Sequence, residues 1–190
     1  SAASDVYKRQ LPNSIELIGG ENIVVKNCQL GAQPTGITCK VQEVNKLSFI
    51  NNQVYPDGRE NLVLDACNNC VIEGNNFKSY YNGILVLNGN DNTVNKNIFW
   101  LTGAVQNQLL DHGDDFGIIN VKGNNNMVAS NSLSCEWAYA GAVTVNAVQG
   151  TGNVFKNCFV DNLESYRVFL VNAQTEVSNC VSSDKVSIVE

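Results

Sequence analysis

Apolar residues in this chain come in short runs, and the runs repeat. Gly89-Asn90-Asp91-Asn92-Thr93-Val94-Asn95-Lys96-Asn97-Ile98-Phe99-Trp100 is one copy: a polar corner, a short strand, an Asn, and more apolar residues. Aligning the Asn that closes each copy gives Asn27, Asn51, Asn75, Asn97, Asn131, Asn157 and Asn179, at intervals of 24, 24, 22, 34, 26 and 22. A second strand keeps the same beat, entered at Ile15, Ile37, Leu62, Ile84, Ile118, Ala142 and Val168. Two markers sharing one period are the signature of a repeat architecture.

Each unit holds two or three strands of a few residues between Asn- and Gly-rich corners. A unit this short cannot bury its own apolar face, whereas stacked units bury a continuous column. No helical period stands out except near residues 101–111. The expected fold is an all-β, right-handed parallel β-helix (a solenoid) of about seven coils, rising about 4.8 Å per coil. Gly83-Ile84-Leu85-Val86-Leu87 and Phe116-Gly117-Ile118-Ile119-Asn120-Val121 are apolar at most positions, so part of the outer surface is expected to be covered. The corner asparagines suit left-handed backbone and hydrogen bonding along the stack. They read as structural.

Composition agrees. Apolar residues make up 44% of the 190, charged residues only 16%, and 29 positions are Asn, a poor helix former. The net charge of −6 argues against a nucleic-acid partner and supplies no basic patch for a membrane surface. No apolar run is long enough to span a bilayer. The compartment stays open between secreted and cytoplasmic. Residues 1–10 fit no repeat and resemble a translated adaptor, so they are expected to be a non-native leader. Residues 11–190 then form one β-helix domain, truncated on its N-terminal side.

Cys28, Cys158 and Cys180 each follow a repeat Asn, and with Cys39, Cys67, Cys70 and Cys135 they make seven cysteines. They are expected to stack inside the coils as small hydrophobes. Cys67-Asn68-Asn69-Cys70 has metal-ligand spacing but lacks a second pair or a nearby His, so no metal is expected. Pro12 and Pro34 lie three residues before Ile15 and Ile37; Pro56 lies six before Leu62, which marks an insertion at the third corner. Two longer insertions, 101–115 and 134–140, are expected to be surface loops.

Glycosyl chemistry needs two carboxyl groups flanking one bond. Two carboxylate groups stand out: Asp111-His112-Gly113-Asp114-Asp115, with the only His, and Glu43 with Asp57, Arg59 and Glu60 around the third corner. No glycine-rich loop opens a helix, which excludes a nucleotide site of that kind.

The run Asn51-Asn52-Gln53-Val54-Tyr55-Pro56-Asp57-Gly58-Arg59-Glu60-Asn61-Leu62-Val63-Leu64, with Cys67-Asn68-Asn69-Cys70 after it, resembles the inulin fructotransferase family. So do Leu87-Asn88-Gly89, Gly113-Asp114-Asp115-Phe116-Gly117 and Gly123-Asn124-Asn125-Asn126-Met127-Val128-Ala129-Ser130-Asn131-Ser132-Leu133. Upstream, Ile15-Glu16-Leu17 and Gly31-Ala32-Gln33-Pro34-Thr35-Gly36-Ile37-Thr38 continue it. The resemblance covers most of residues 13–160 in consistent order and corresponds to the C-terminal part of a longer family member. It implies a β-helix homotrimer, sites between subunits, no metal or organic cofactor, and release of difructose dianhydride from a fructan end. Relatives hydrolyse the dianhydride.

Carried over residue by residue, the resemblance departs at one place. The family's catalytic Asp, in a Pro-Asp-Gly corner, falls on Thr35 between Pro34 and Gly36. Glu43 is the carboxylate nearest to the family's catalytic Glu, and Asp57, in Pro56-Asp57-Gly58, offers a replacement one coil on. Glu43 and Asp57 are therefore the expected catalytic pair, with Thr35, Arg59, Asp114 and Asp115 as substrate-binding residues. The alternatives are a difructose-anhydride hydrolase, an inactive carbohydrate-binding homologue, a non-catalytic spike, or, more remotely, a pectin-lyase-like enzyme using Lys26, Lys40 or Lys46.

Overall fold

A computed structural model describes residues 13–31, 36–55, 59–80, 83–102, 115–136, 142–161, 165–181 and 185–189. The expected leader at 1–10, Thr35, Asp57, His112, Asp114 and most of both long insertions lie outside the described residues.

The described residues contain strands and no helix, arranged as three parallel sheets that each complete coil visits in turn. Sheet 1 stacks Ile15–Glu21, Cys39–Asn45, Leu62–Asp65, Leu85–Asn88, Ile119–Val121, Val145–Ala147, Phe169–Asn172 and Val186–Val189. Sheet 2 stacks Val24–Lys26, Ser48–Ile50, Val71–Glu73, Thr93–Asn95, Met127–Ala129, Val154–Lys156 and Glu176–Ser178. Sheet 3 stacks Gln29–Leu30, Gln53–Val54, Asn76–Ser79, Ile98–Leu101, Ser132–Cys135 and Phe159–Asp161. Six coils are complete among the described residues; a seventh lacks its third strand, and one strand follows. This is the parallel β-helix the repeat predicts.

Strand alternation sends every second side chain inward. Leu62, Leu85, Ile119, Val145 and Phe169 stack under sheet 1, and Phe49, Ile72, Val94, Val128 and Phe155 under sheet 2. Under sheet 3 the rings of Phe77 and Phe99 are parallel, centroids 5.0 Å apart. Burying one such side chain contributes about 1.5–3 kcal/mol, so the column holds the coils together. Of the seven cysteines, Cys39, Cys67, Cys70, Cys158 and Cys180 are buried, and Cys28 and Cys135 half-buried, as expected of small inward residues.

The beat was readable, but the register was not. In the strand pairing, the structural partners of Leu62 are Ile15, Cys39, Leu85, Ile119, Val145 and Phe169. The sequence marker sits one to three residues early at Ile37, Ile84, Ile118, Ala142 and Val168. Ile84, Ile118 and Val168 are corner residues, also buried, so apolar character alone does not locate the strand. The asparagine series likewise mixes two columns. Asn27, Asn51, Asn157 and Asn179 have φ of 57°, 54°, 55° and 51° and are exposed. Gly74, Lys96 and Ser130 occupy that same left-handed position in the middle coils.

The residue after it turns inward: Cys28, Asn52, Asn75, Asn97, Asn131, Cys158 and Cys180. Here each Asn donates its amide to the side-chain oxygen of the next: Asn52 to Asn75 at 3.0 Å, Asn75 to Asn97 at 2.9 Å, Asn97 to Asn131 at 3.0 Å. A second ladder, Asn92 to Asn126 to Asn153, runs along the corner between sheets 1 and 2. Left-handed geometry and ladder bonding were expected of one set of asparagines. Two sets divide them, because a side chain in the exposed left-handed position points away from the stack.

Candidate functional site

The expected site residues separate. Glu43 is exposed, with φ of 55°, near the trailing end of the sheet 1 strand Cys39–Asn45 in the second coil. Arg59 is half-buried at the opposite, leading edge of sheet 1, where its backbone N–H donates to Gly36 O at 2.8 Å. Six residues, mostly extended, separate Gly36 from Glu43, a span of about 23 Å over seven steps. Glu43 and Arg59 therefore do not meet within one chain. Thr35 and Asp57, which flank Gly36 and Arg59 in sequence, lie outside the described residues, as does Asp114.

The leading edge of sheet 1 does gather other groups. Gly83 stacks between Glu60 and Gly117, and a Cβ there would meet the Phe116 ring at 2.7 Å and Glu60 Cγ at 3.3 Å. Asp115 thus lies two coils beyond Arg59 on one edge, about 10 Å along the axis. It is exposed, and Arg167 Nη1 donates to its Oδ1 at 2.7 Å. The amide of Asn146 donates to the Asp115 carbonyl at 2.7 Å.

These contacts form the rim of a cleft of about 290 Å³ on the outer face of sheet 1, lined by Asp115, Phe116, Asn120, Lys122, Asn146, Val148 and Gln149. The strand period explains it. Asn120 and Asn146 are the outward residues between Ile119 and Val121 and between Val145 and Ala147, and they pair in register. Asn120 is buried and locked to its own corner, accepting from Gly117 N at 2.9 Å and donating to Gly117 O at 2.8 Å. The cleft therefore has a fixed amide floor, a carboxylate held by a guanidinium at one end, an ammonium and a second amide at the other, and an aromatic edge. Such a lining suits a neutral ligand rich in hydroxyls, since amides both donate and accept.

Asp115 is the one expected site residue among those lining the cleft. Asn120, Lys122, Asn146, Gln149 and Arg167 were missed. A signal existed for two: an Asn at the same outward place of two successive apolar strands is an irregularity that a core does not need.

The chain shares its parallel β-helix fold with solved structures. It matches the crystal structure of DFA-IIIase from Arthrobacter chlorophenolicus A6 in complex with GF2 with a TM-score of 0.74 at 20% identity, covering 90% of this chain and 46% of that one. It matches the same protein without its lid with a TM-score of 0.74 at 20% identity, covering 95% and 53%. It matches the mutant C387A in complex with DFA-III with a TM-score of 0.71 at 20% identity, covering 90% and 48%. The chain spans about half the length of these proteins. No curated protein matched it.

The chain belongs to the NosD family, described as periplasmic copper-binding protein, whose model matches residues 2–179. The described residues do not fit a copper centre. None of them form a group of three or more His, Cys, Asp or Glu placed to hold a metal ion. Burial pushes the Cys39 thiol up to about 12 and the Cys70 thiol up to about 11, away from the thiolate a metal requires, whereas Cys180 is lowered to about 7 chiefly by its hydrogen bond with Cys158. The single methionine, Met127, is half-buried on sheet 2, and His112 lies outside the described residues. No described helix is long and apolar enough to cross a membrane.

Proposed function

We propose that this chain is the β-helix body of a fructan-acting enzyme, with the sheet 1 cleft holding a fructosyl unit. The observation that carries the reading is Asp115, fixed by Arg167 at the rim of a cleft floored by Asn120 and Asn146. The amides hold hydroxyls, Phe116 offers an apolar edge to the sugar ring, and Asp115 supports the positive charge that develops at a fructosyl carbon. The finer reading is an inulin-fructotransferase-like reaction: an acid protonates the departing oxygen while a fructosyl hydroxyl attacks intramolecularly and loses its proton to a carboxylate. Glu43 and Asp57 remain the residues proposed for that pair. Glu43 lies three coils from Asp115, about 14 Å along the axis, farther than two carboxyls that flank one bond. Within one site, Glu43 then acts at a cleft completed by another copy, which accords with a homotrimer.

The likeness to structures named DFA-IIIase favours a second reading, hydrolysis of the dianhydride itself. Thr35 in place of a catalytic Asp favours a third, a homologue that binds carbohydrate without turning it over. Incubating the protein with inulin and with difructose anhydride, followed by chromatography of the products, tests all three. Dianhydride released from inulin supports the transferase, and a fructose disaccharide released from the anhydride supports the hydrolase. Binding without product supports the third reading, and neither binding nor product overturns the proposal.

A further inference from the structure

The outer face of sheet 3 carries a second cleft, of about 130 Å³, lined by Gln53, Val54, Tyr55, Asn76, Lys78 and Trp100. The coil register builds it. Lys78 pairs with Trp100, and Val54 with Phe77, so Tyr55, Lys78 and Trp100 form one outward column on three successive coils. Tyr55 and Trp100 are therefore two coils apart, about 10 Å, with Lys78 between them and Gln53 and Asn76 alongside.

Trp100 is held in place from two sides. Its indole N–H donates to Glu136 Oε1 at 2.8 Å, and Lys78 Nζ lies 4.3 Å from its ring centroid. Even so, 37% of Trp100 and 43% of Tyr55 remain exposed. Fixing an indole on the surface costs side-chain entropy, and no core packing is gained there. The charges of Lys78 and Glu136 are opposite, and both engage the indole. What faces the cleft is then aromatic surface, two primary amides and the Lys78 side chain. This lining complements a ligand with an apolar C–H face and neutral hydroxyl edges, and it offers no paired cations to an anionic polymer.

We infer that this cleft is a surface subsite for one ring of a neutral oligosaccharide, seated between Tyr55 and Trp100 with its hydroxyls on Gln53, Asn76 and the Lys78 ammonium. It lies on a different sheet from the Asp115 cleft. Its claim does not depend on that cleft being catalytic.

The test is a titration of the intact chain with a short inulin-type oligosaccharide, with a cello-oligosaccharide as a second neutral probe. Tryptophan fluorescence and the Trp100 indole N–H resonance are followed together. A saturable shift of both signals is expected with at least one probe. Tyr55→Ala should weaken it at least tenfold. Trp100→Ala and Trp100→Phe remove the reporter, so their binding is read by calorimetry, where the first should lose at least tenfold and the second keep most of the affinity. Ile18→Ala, at an exposed position outside both clefts, should leave the shift unchanged. Light scattering run in parallel checks that the variants keep their fold and assembly. The inference is overturned if neither probe shifts the Trp100 resonance, or if Tyr55→Ala and Lys78→Gln bind as the parent does. It is also overturned if Trp100→Ala changes the oligomeric state, which would make the face a contact between copies. Loss of binding in Asp115→Asn with the sheet 3 variants unaffected would assign the titration to sheet 1 and overturn the inference without touching the sheet 1 proposal.

Discussion

Asn75 and Asn97 meet inside the helix one coil apart, and one oxygen serves two donors: Asn97 Oδ1 accepts the Asn75 side-chain amide and its backbone N–H, each at 2.9 Å. The remaining Asn75 amide hydrogen goes to Phe49 O at 2.8 Å. The buried amide is saturated by the coils on either side, so each ladder Asn specifies its neighbours' register.

Removing one rung should therefore cost more than its own bonds. Asn97→Ala leaves two donors of Asn75 without their acceptor and Ile72 O without its donor. The expected loss is about 3 kcal/mol, since an unsatisfied buried group costs about 1–3 kcal/mol. Cys28, Cys158 and Cys180 fill the same column elsewhere, and the Cys158 N–H donates to Cys180 Sγ at 3.4 Å. Asn97→Cys should accordingly lose less than Asn97→Ala. Asn157→Ala, at an exposed left-handed position, should cost about 1–2 kcal/mol. Urea midpoints of the four proteins, compared at unchanged slope, decide the order.

Two glycines should behave oppositely for steric reasons. A Cβ on Gly89 would lie 1.8 Å from the Cys67 carbonyl oxygen, and one on Gly123 the same distance from Gly89 O, so these two positions allow no side chain. Gly89→Ala should destabilise by more than about 3 kcal/mol, as forced core rearrangements do, or leave no soluble protein. Gly19, with φ of +70° and nothing within 4 Å, should tolerate Ala at about 1 kcal/mol. Thermal unfolding of the two variants is the comparison.

The asparagine corners and the alternating strands made the architecture legible, because stacking repeats one local rule many times. What the sequence hid follows from the same regularity. Asn51 and Asn52 are neighbours of one residue type, yet one turns outward in left-handed backbone and the other inward on the ladder. The pattern of residue types does not tell them apart. The candidate site was less legible still. Asp115 lay in a visible carboxylate cluster, but its partner Arg167 comes 52 residues later, two coils away, and only the register brings them together. Glu43 is the carboxylate nearest to the family's catalytic Glu in sequence, and extended chain carries it to the far edge of sheet 1 from Gly36 and Arg59.

Alkaline pH should weaken the fold through its buried thiols. The Cys39 thiol rises from 9.0 to about 12 and that of Cys70 to about 11, in both cases chiefly because burial disfavours the thiolate. The folded state then keeps protons that the unfolded chain releases. The stabilisation is complete below pH 9 and is lost as pH climbs towards 11 and 12. The urea midpoint should fall over that window, and the Cys39→Ala, Cys70→Ala double variant should show a shallower fall. An equal slope in both proteins would contradict the assignment.

The Arg167–Asp115 ion pair should matter little for stability and much for ligand. The Asp115 side chain is 60% exposed, so water screens the pair. Asp115→Asn and Arg167→Gln are each expected to move the unfolding free energy by less than about 1 kcal/mol. In a Trp100→Ala background, which removes the sheet 3 subsite, calorimetric binding of an inulin-type oligosaccharide should weaken at least tenfold in Asp115→Asn and more mildly in Lys122→Ala.

The most direct test of the sheet 1 cleft is isothermal titration of a parent chain carrying Trp100→Ala, which removes the sheet 3 subsite, with difructose anhydride and with a short inulin oligosaccharide, repeated after adding Asp115→Asn or Asn146→Ala. The account predicts saturable binding of at least one of them to the parent chain, reduced tenfold or more in both variants at unchanged thermal stability. Absence of binding to either compound, or equal binding by the parent and both variants, would contradict it.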